Sequence, residues 1–392
     1  MIRNALAMVL LCAGLAAGSC IKEEALNSEA DIESCTLPGD VLNRDPIIEN
    51  DKVTLILKKG TNLTALSPEF TLTPGATISP ASGTVRDFTS PQYYEVTSED
   101  GQWKKRYKVE ATTSGITANT YRFENMRMDS NGKYHIFYET DAGGAEILTW
   151  ASGNPGFALT GAGSTPADYP TYQSEAGYKG KCLALTTRKT GSFGASMGMP
   201  IAAGNLFLGT FDVLNALKEP LTATKFGLPF DYVPTCLRGF YKYRSGEMFY
   251  KQDASVSGGL TPVPDMRDRF NMYAVFYEST DDMKTVDGTN ALSEDNPNVL
   301  AVAQIDPGRA VETDEWSPFE IDFVFREGKR VDAGKLAEGR YSLAIVFSSS
   351  VHGDRFEGAP GSTLYVDEVT LEYKEAPEEQ PRGGSSDKIL WK

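Results

Sequence analysis

Leu237-Arg-Gly-Phe-Tyr-Lys-Tyr-Arg244 is the stretch that decides the fold. With the two-residue period of a strand, Arg238, Phe240, Lys242 and Arg244 share one face, and Gly239, Tyr241 and Tyr243 share the other. One of these faces is core. Comparable runs recur at Cys182–Thr187, Leu206–Phe211, Phe270–Tyr277, Val299–Ile305, Phe319–Phe325, Tyr341–Phe347 and Leu364–Tyr373, with Tyr121–Met128 opening the series. Between them lie clusters of Gly, Pro, Asn and Asp. The whole chain holds 18 Tyr, 19 Phe and 4 Trp among 37 Gly and 21 Pro, the composition of short strands joined by turns. No strand–helix–strand rhythm appears, so a parallel sheet is not expected. The spacing predicts one short helix, Asp212–Lys218. Residues 120–375 therefore read as one large antiparallel unit, a jelly roll, in an all-β protein.

Ahead of it, residues 29–113 form a smaller pattern of strands and turns. Val53, Leu55 and Leu57 alternate with Thr54 and Ile56, and Tyr93–Val96 and Trp103–Val109 flank the hairpin signal Ser98-Glu-Asp-Gly101. Several short strands at this spacing fit an immunoglobulin-like sandwich. Residues 114–119 read as a linker, and residues 376–392 as a polar tail.

Charge removes one class of partner. The chain carries 38 Lys and Arg against 53 Asp and Glu, a net −15, and that field repels phosphate backbones, so no nucleic-acid partner is expected. The two histidines, His135 and His352, are too few for a His-rich metal site or a Ser-His-Asp triad. The first nineteen residues read as a signal peptide: Arg3, then apolar Ala5–Leu15, too short to span a bilayer. Ala16-Ala-Gly-Ser19 ahead of Cys20 resembles the lipobox of bacterial lipoproteins, which implies acylation of Cys20 and a membrane anchor. Residues 20–28 would be the tether. Lys22-Glu-Glu24 resembles the surface-export signal of Bacteroidetes lipoproteins, implying a cell-surface place on the outer membrane, with a periplasm-facing one as the alternative. Of five cysteines, Cys12 falls in the signal and Cys20 carries lipid. Cys35, Cys182 and Cys236 remain, either with a Cys182–Cys236 disulfide or as buried thiols.

Two resemblances extend this. Gly75–Gly83, Tyr94–Gly101 and Tyr107-Lys-Val109 resemble the Ig-like modules of Bacteroidetes surface lipoproteins, which act as spacers. Phe123-Glu-Asn125, Trp150–Gly156, Ala202–Phe207, Phe226–Phe230, Gly239–Tyr243, Ile345–Ser350 and Val366–Val369, taken in order, resemble the putative carbohydrate metabolism domain of such lipoproteins. That likeness implies a jelly roll of the carbohydrate-binding-module kind and a place in glycan use, with no assigned activity to transfer.

Sugar recognition needs flat apolar faces bordered by hydrogen-bonding groups. The candidate ligand-binding set is Trp150, Tyr241 and Tyr243 for stacking, with Arg238, Lys242 and Asp354 at the edges. The competing reading packs the three rings in the core. A glycosidase would need two facing carboxylates. Glu124, Glu278, Asp322, Asp354, Asp367 and Glu368 are available, but no motif singles out a pair. Jelly-roll modules carry structural Ca²⁺ where first and last strands meet, which makes Glu124 and Asp367 the candidate metal ligands. The expected function is an envelope-anchored lipoprotein binding a polysaccharide or oligosaccharide without catalysis, alongside glycan-uptake proteins. The rivals are a glycoside hydrolase and a structural or adhesion lipoprotein.

Overall fold

The computed structural model describes residues 25–375, apart from residues 49 and 114. The expected signal peptide, Cys20, most of the expected tether and the expected tail lie outside the described residues. Among the described residues no helix is long and apolar enough to cross a membrane. The chain divides into two compact units, one up to Pro38 with Ile48–Val53 and Leu63–Glu110, the other with Gly39–Ile47, Thr54–Asn62 and everything from Ala111 on.

The smaller unit is the Ig-like sandwich. Ile32–Thr36 pairs with Glu69–Leu72, and a five-stranded sheet runs in the order Ile47–Ile48, Lys52–Ile56, Lys104–Thr112, Gln92–Thr97, Thr77–Ser79. Tyr94, Val96, Tyr107 and Val109 are buried from two neighbouring strands. The Tyr107 hydroxyl accepts from the Ile32 amide at 3.1 Å and donates to Asp31 at 3.1 Å, tying the two sheets. Part of the expected tether is docked, since the Asn27 amide donates to Glu99 at 2.8 Å.

The larger unit is a jelly roll of two antiparallel sheets. The first runs Thr171–Ser174, Cys182–Thr186, Thr363–Lys374, Val233–Arg244, Thr313–Asp322, with Thr120–Tyr121 added beside Thr363–Lys374. The second runs Asn205–Phe207, Tyr341–Ser348, Asn271–Glu278, Val299–Gln304, Val324–Phe325, with Leu228–Pro229 added beside Tyr341–Ser348. Alternate residues of both meet in one core: Leu237, Tyr241, Tyr243, Leu364 and Val366 from the first, Met272, Phe276, Leu343, Ile345 and Phe347 from the second. Each such side chain contributes roughly 1.5–3 kcal/mol when buried.

Departures from expectation have local causes. The linker is not free chain: Ile116 and Ala118 join the larger core, and the Ile116 amide donates to Pro229 at 2.8 Å. The Tyr121–Met128 strand is broken because Phe123 takes a φ of 55° and turns its ring onto Phe137 and Phe347. Asp212 does cap a helix, accepting from the Asn215 amide at 3.0 Å, but that helix is only Val213–Ala216. Asn154–Leu159, Gly191–Ser196 and Ala333–Ala337 are also helical, each too short to show a helical period in sequence. Cys35, Cys182 and Cys236 are buried free thiols, and burial raises Cys182 to about 12 and Cys236 to about 11.

The Leu206–Phe211 run splits at Leu208, and Gly209 opens the second strand. The φ of Gly209 is 143°, and a Cβ there would lie 1.9 Å from the Lys225 carbonyl oxygen. Gly209→Ala is predicted to destabilise the larger unit by at least about 2 kcal/mol, read as a drop in its thermal midpoint. An unchanged midpoint would contradict the packing described.

Candidate functional site

The second sheet is apolar on both faces. Asn271–Glu278 and Tyr341–Ser348 are buried at every position but the last. Their outward residues Tyr273, Val275, Ala344 and Val346 form a second cluster with Phe207 and Phe226. A layer of loops and short helices covers this face. Between layer and sheet lies a recess of about 340 Å³. Its floor is Phe207, Asn271, Tyr273, Val346 and Ser348, and its walls come from the helices at 154–159 and 191–196, the Phe211–Thr224 segment, Gly288–Leu292 and the 350–356 loop. A cavity near the lower end of the usual ~300–1,000 Å³, mostly apolar with a few convergent polar groups, is the default ligand site.

The 350–356 loop is held from below. Asp268, 2% exposed, accepts from the Ser350 and Ser362 hydroxyls, both at 2.8 Å, and from the Ala359 and Arg269 amides at 2.8 and 2.9 Å. Burial raises its pKa, and those four donors oppose the rise. The loop so fixed sets Asp354 at the recess, the sole carboxylate among its lining residues. On the floor, the Tyr273 hydroxyl has no hydrogen-bond partner among the described residues, though the residue is only 8% exposed. Burial first, then the nearby Asp354 charge, raises its pKa, so the phenol stays protonated and can donate. Asn205 Oδ1 accepts from the Gly153 amide at 2.7 Å and Asn271 Oδ1 from Gln304 at 3.3 Å. The free Nδ2 of each carboxamide remains a donor.

Of the candidate ligand-binding residues, only Asp354 lines this recess. Trp150, Tyr241 and Tyr243 are 3%, 4% and 1% exposed and belong to the inter-sheet core. Trp150 packs edge-on to Tyr121 and donates its indole N–H to Glu139 at 3.3 Å, while Tyr241 and Tyr243 both lie against Phe270. None of these three rings offers a face to a sugar, because the strand's tyrosine face turned inward. Arg238 and Lys242 lie on its outward face, on the opposite sheet from Asp354. Arg238 pairs with Glu372 at 2.8 Å. The Lys242 ammonium sits over Trp316 at 4.9 Å and Tyr365 at 5.2 Å, beside a Tyr178–Phe240 stack at 3.8 Å. The expected set therefore divides between two surfaces and a core.

The candidate calcium ligands brace a loop. Asp367 accepts from the Lys179 and Glu368 amides at 2.9 and 2.8 Å, and Glu124 from the Lys181 amide at 3.1 Å. Both thus brace the turn that carries Tyr178. Neither belongs to a metal-suited trio among the described residues, where Cys236, Glu320 and Asp322 converge within 4.8 Å. Sequence reasoning passed over Tyr273, Asn271 and Asn205. The usable signal was a strand apolar at consecutive positions, which announces cover on both faces, with a lone Asn at its start.

Two buried carboxyls make stability depend on pH. Burial raises Glu139 from 4.5 to about 7, against hydrogen bonds from Trp150 and the Arg122 and Phe123 amides. Burial likewise raises Asp367 from 3.8 to about 6. Between about pH 4 and 7 the folded chain holds more protons than the unfolded one, so this stabilisation is full below pH 4 and lost as pH rises through 7. Glu139→Gln is predicted to flatten the fall in thermal midpoint between pH 5 and 8, an effect on the order of 2 kcal/mol. An identical pH profile in the variant would refute the assignment.

Comparisons with known proteins agree with this architecture. The profile described as "Putative carbohydrate metabolism domain" matches residues 122–372, and the one described as "SGBP, N-terminal" matches residues 36–111. A crystal structure from Bacteroides thetaiotaomicron, described as a putative glycoside hydrolase, is 51% identical over 91% of this chain and all of its own, with a TM-score of 0.81. Another from Bacteroides vulgatus, described in the same words, is 46% identical over 67% of this chain and all of its own, with a TM-score of 0.60. No protein of curated function matches significantly. With most of its larger unit inside the matched span and a relative 51% identical over 91% of its length, the chain belongs to the putative carbohydrate metabolism domain family.

Proposed function

We propose that this protein is a glycan-binding lipoprotein of the bacterial envelope, anchored through Cys20, that holds a polysaccharide or oligosaccharide in the recess over the second sheet without cleaving it. The observation that carries the reading is the recess itself, aromatic and apolar on floor and walls, with Asp354 as its sole carboxylate. Hydrolysis by either usual route takes two carboxyl groups about 5–10 Å apart across the scissile bond, and a lone one serves to hold a hydroxyl. Membership of a carbohydrate-related family and the N-terminal SGBP match support a glycan as ligand. The name given to the relatives favours the hydrolase rival, which needs a second acid brought to Asp354. Glycan-uptake proteins would be the partners at the cell surface.

Affinity electrophoresis across a polysaccharide panel tests the reading. At least one polymer is predicted to retard the protein. Asn271→Ala and Asp354→Asn should weaken that retardation about tenfold, the loss of one or two hydrogen bonds, whereas Arg238→Ala on the opposite sheet should not. No retardation by any polymer, or release of reducing ends from one, would overturn the proposal.

A further inference from the structure

We infer that the recess takes a saccharide end bearing an apolar substituent, an aryl or short acyl group, and no negative charge. This rests on the glycan-binding reading and names the ligand class within it. The recess has few polar groups to give. The Thr171 hydroxyl already donates to the Asn205 carbonyl at 2.7 Å, Thr190 to Met199 at 2.6 Å, and Ser348 to Ser350 at 2.9 Å. Ser350 donates to Asp268. A bare hexose carries hydroxyls around its whole rim. Sunk here, most would lose water and gain nothing, which weakens binding.

The apolar side of the ledger is long. Phe193, Leu217, Leu221 and Leu292 line the recess and are still 44%, 39%, 37% and 36% exposed. Large apolar side chains left in water around one mouth mark a place where apolar surface is meant to be covered. Phe207, Phe226 and Val346 continue that surface inward. Against it stand the Tyr273 hydroxyl, which makes no hydrogen bond among the described residues, the Nδ2 groups of Asn205 and Asn271, and Asp354. Three donors and one acceptor suit a few hydroxyls of one sugar, with the substituent against the phenylalanines. Among the lining residues Asp354 is the one charge, with no Lys or Arg to answer an acidic sugar, so a uronate would meet only repulsion. The volume, about 340 Å³, suits a chain end rather than several consecutive rings.

Calorimetric titration of the purified protein tests this with four probe sets: 4-nitrophenyl glycosides of common hexoses and xylose, the matching methyl glycosides, 4-nitroanisole, and 4-nitrophenyl glucuronide. At least one aryl glycoside is expected to bind about tenfold or more tighter than its methyl counterpart, and the glucuronide about tenfold weaker than the matching glucoside. Phe193→Asp should abolish the aryl preference, and Tyr273→Phe should weaken the aryl glycoside several-fold. Phe193 is 44% exposed, and retained thermal midpoints check that both variants fold. Equal binding of aryl and methyl glycosides, or no binding of any aryl glycoside, overturns the inference and leaves the polysaccharide result to judge the glycan reading. Binding of 4-nitroanisole as tight as any aryl glycoside keeps the apolar recess but overturns the glycan reading.

Discussion

Everything in the larger unit depends on burying one aromatic-rich seam between two antiparallel sheets. Tyr241 and Tyr243 from one side meet Phe270, and Phe347 meets Trp150 and Phe123. Hydrophobic burial is the term that offsets the conformational entropy of ordering so many short strands. Once that seam is dry, the outward faces are fixed by the two-residue period. The first sheet then presents Arg238, Lys242 and Arg244 to water. The second presents another apolar surface, which has to be covered.

The cover makes the site. Short helices and turns, unable to build a core of their own, lie over the outer face of the second sheet and leave an incompletely filled space. Buried polar residues give this layer its shape. Asp268 takes four hydrogen bonds from the loop that ends at Ser362 and from its own neighbour. Losing that carboxyl would orphan several donors at once, a larger effect than losing one exposed ion pair. Rigid strands below and a pinned loop above place Asp354 and Tyr273 where a ligand could meet both.

How far this was legible in the sequence follows from how strongly each strand alternates. Leu237–Arg244 alternates cleanly, so its two faces were separable before any coordinates, although not which was core. Asn271–Glu278 and Tyr341–Ser348 do not alternate, and nothing local distinguishes the inter-sheet face from the recess face. Attention therefore went to tyrosines beside charges, and those tyrosines are interior. Asp354 was named only as one of several acids and edge groups, with no motif that set it apart. Tyr273 and Asn271 were not named, because within an apolar run they read as filling. The bend at Phe123 and the break before Gly209 also escaped, since each is set by a contact distant in sequence.

The central claim is that ligand occupies the covered face of the second sheet and not the open face of the first. Hydrogen exchange with a retarding polysaccharide present and absent measures this directly. Slowed exchange in the 191–203 and 350–356 segments, with the 176–181 turn unchanged, is expected of a ligand in the recess. Protection confined to the 176–181 turn and the Val233–Arg244 strand would contradict it.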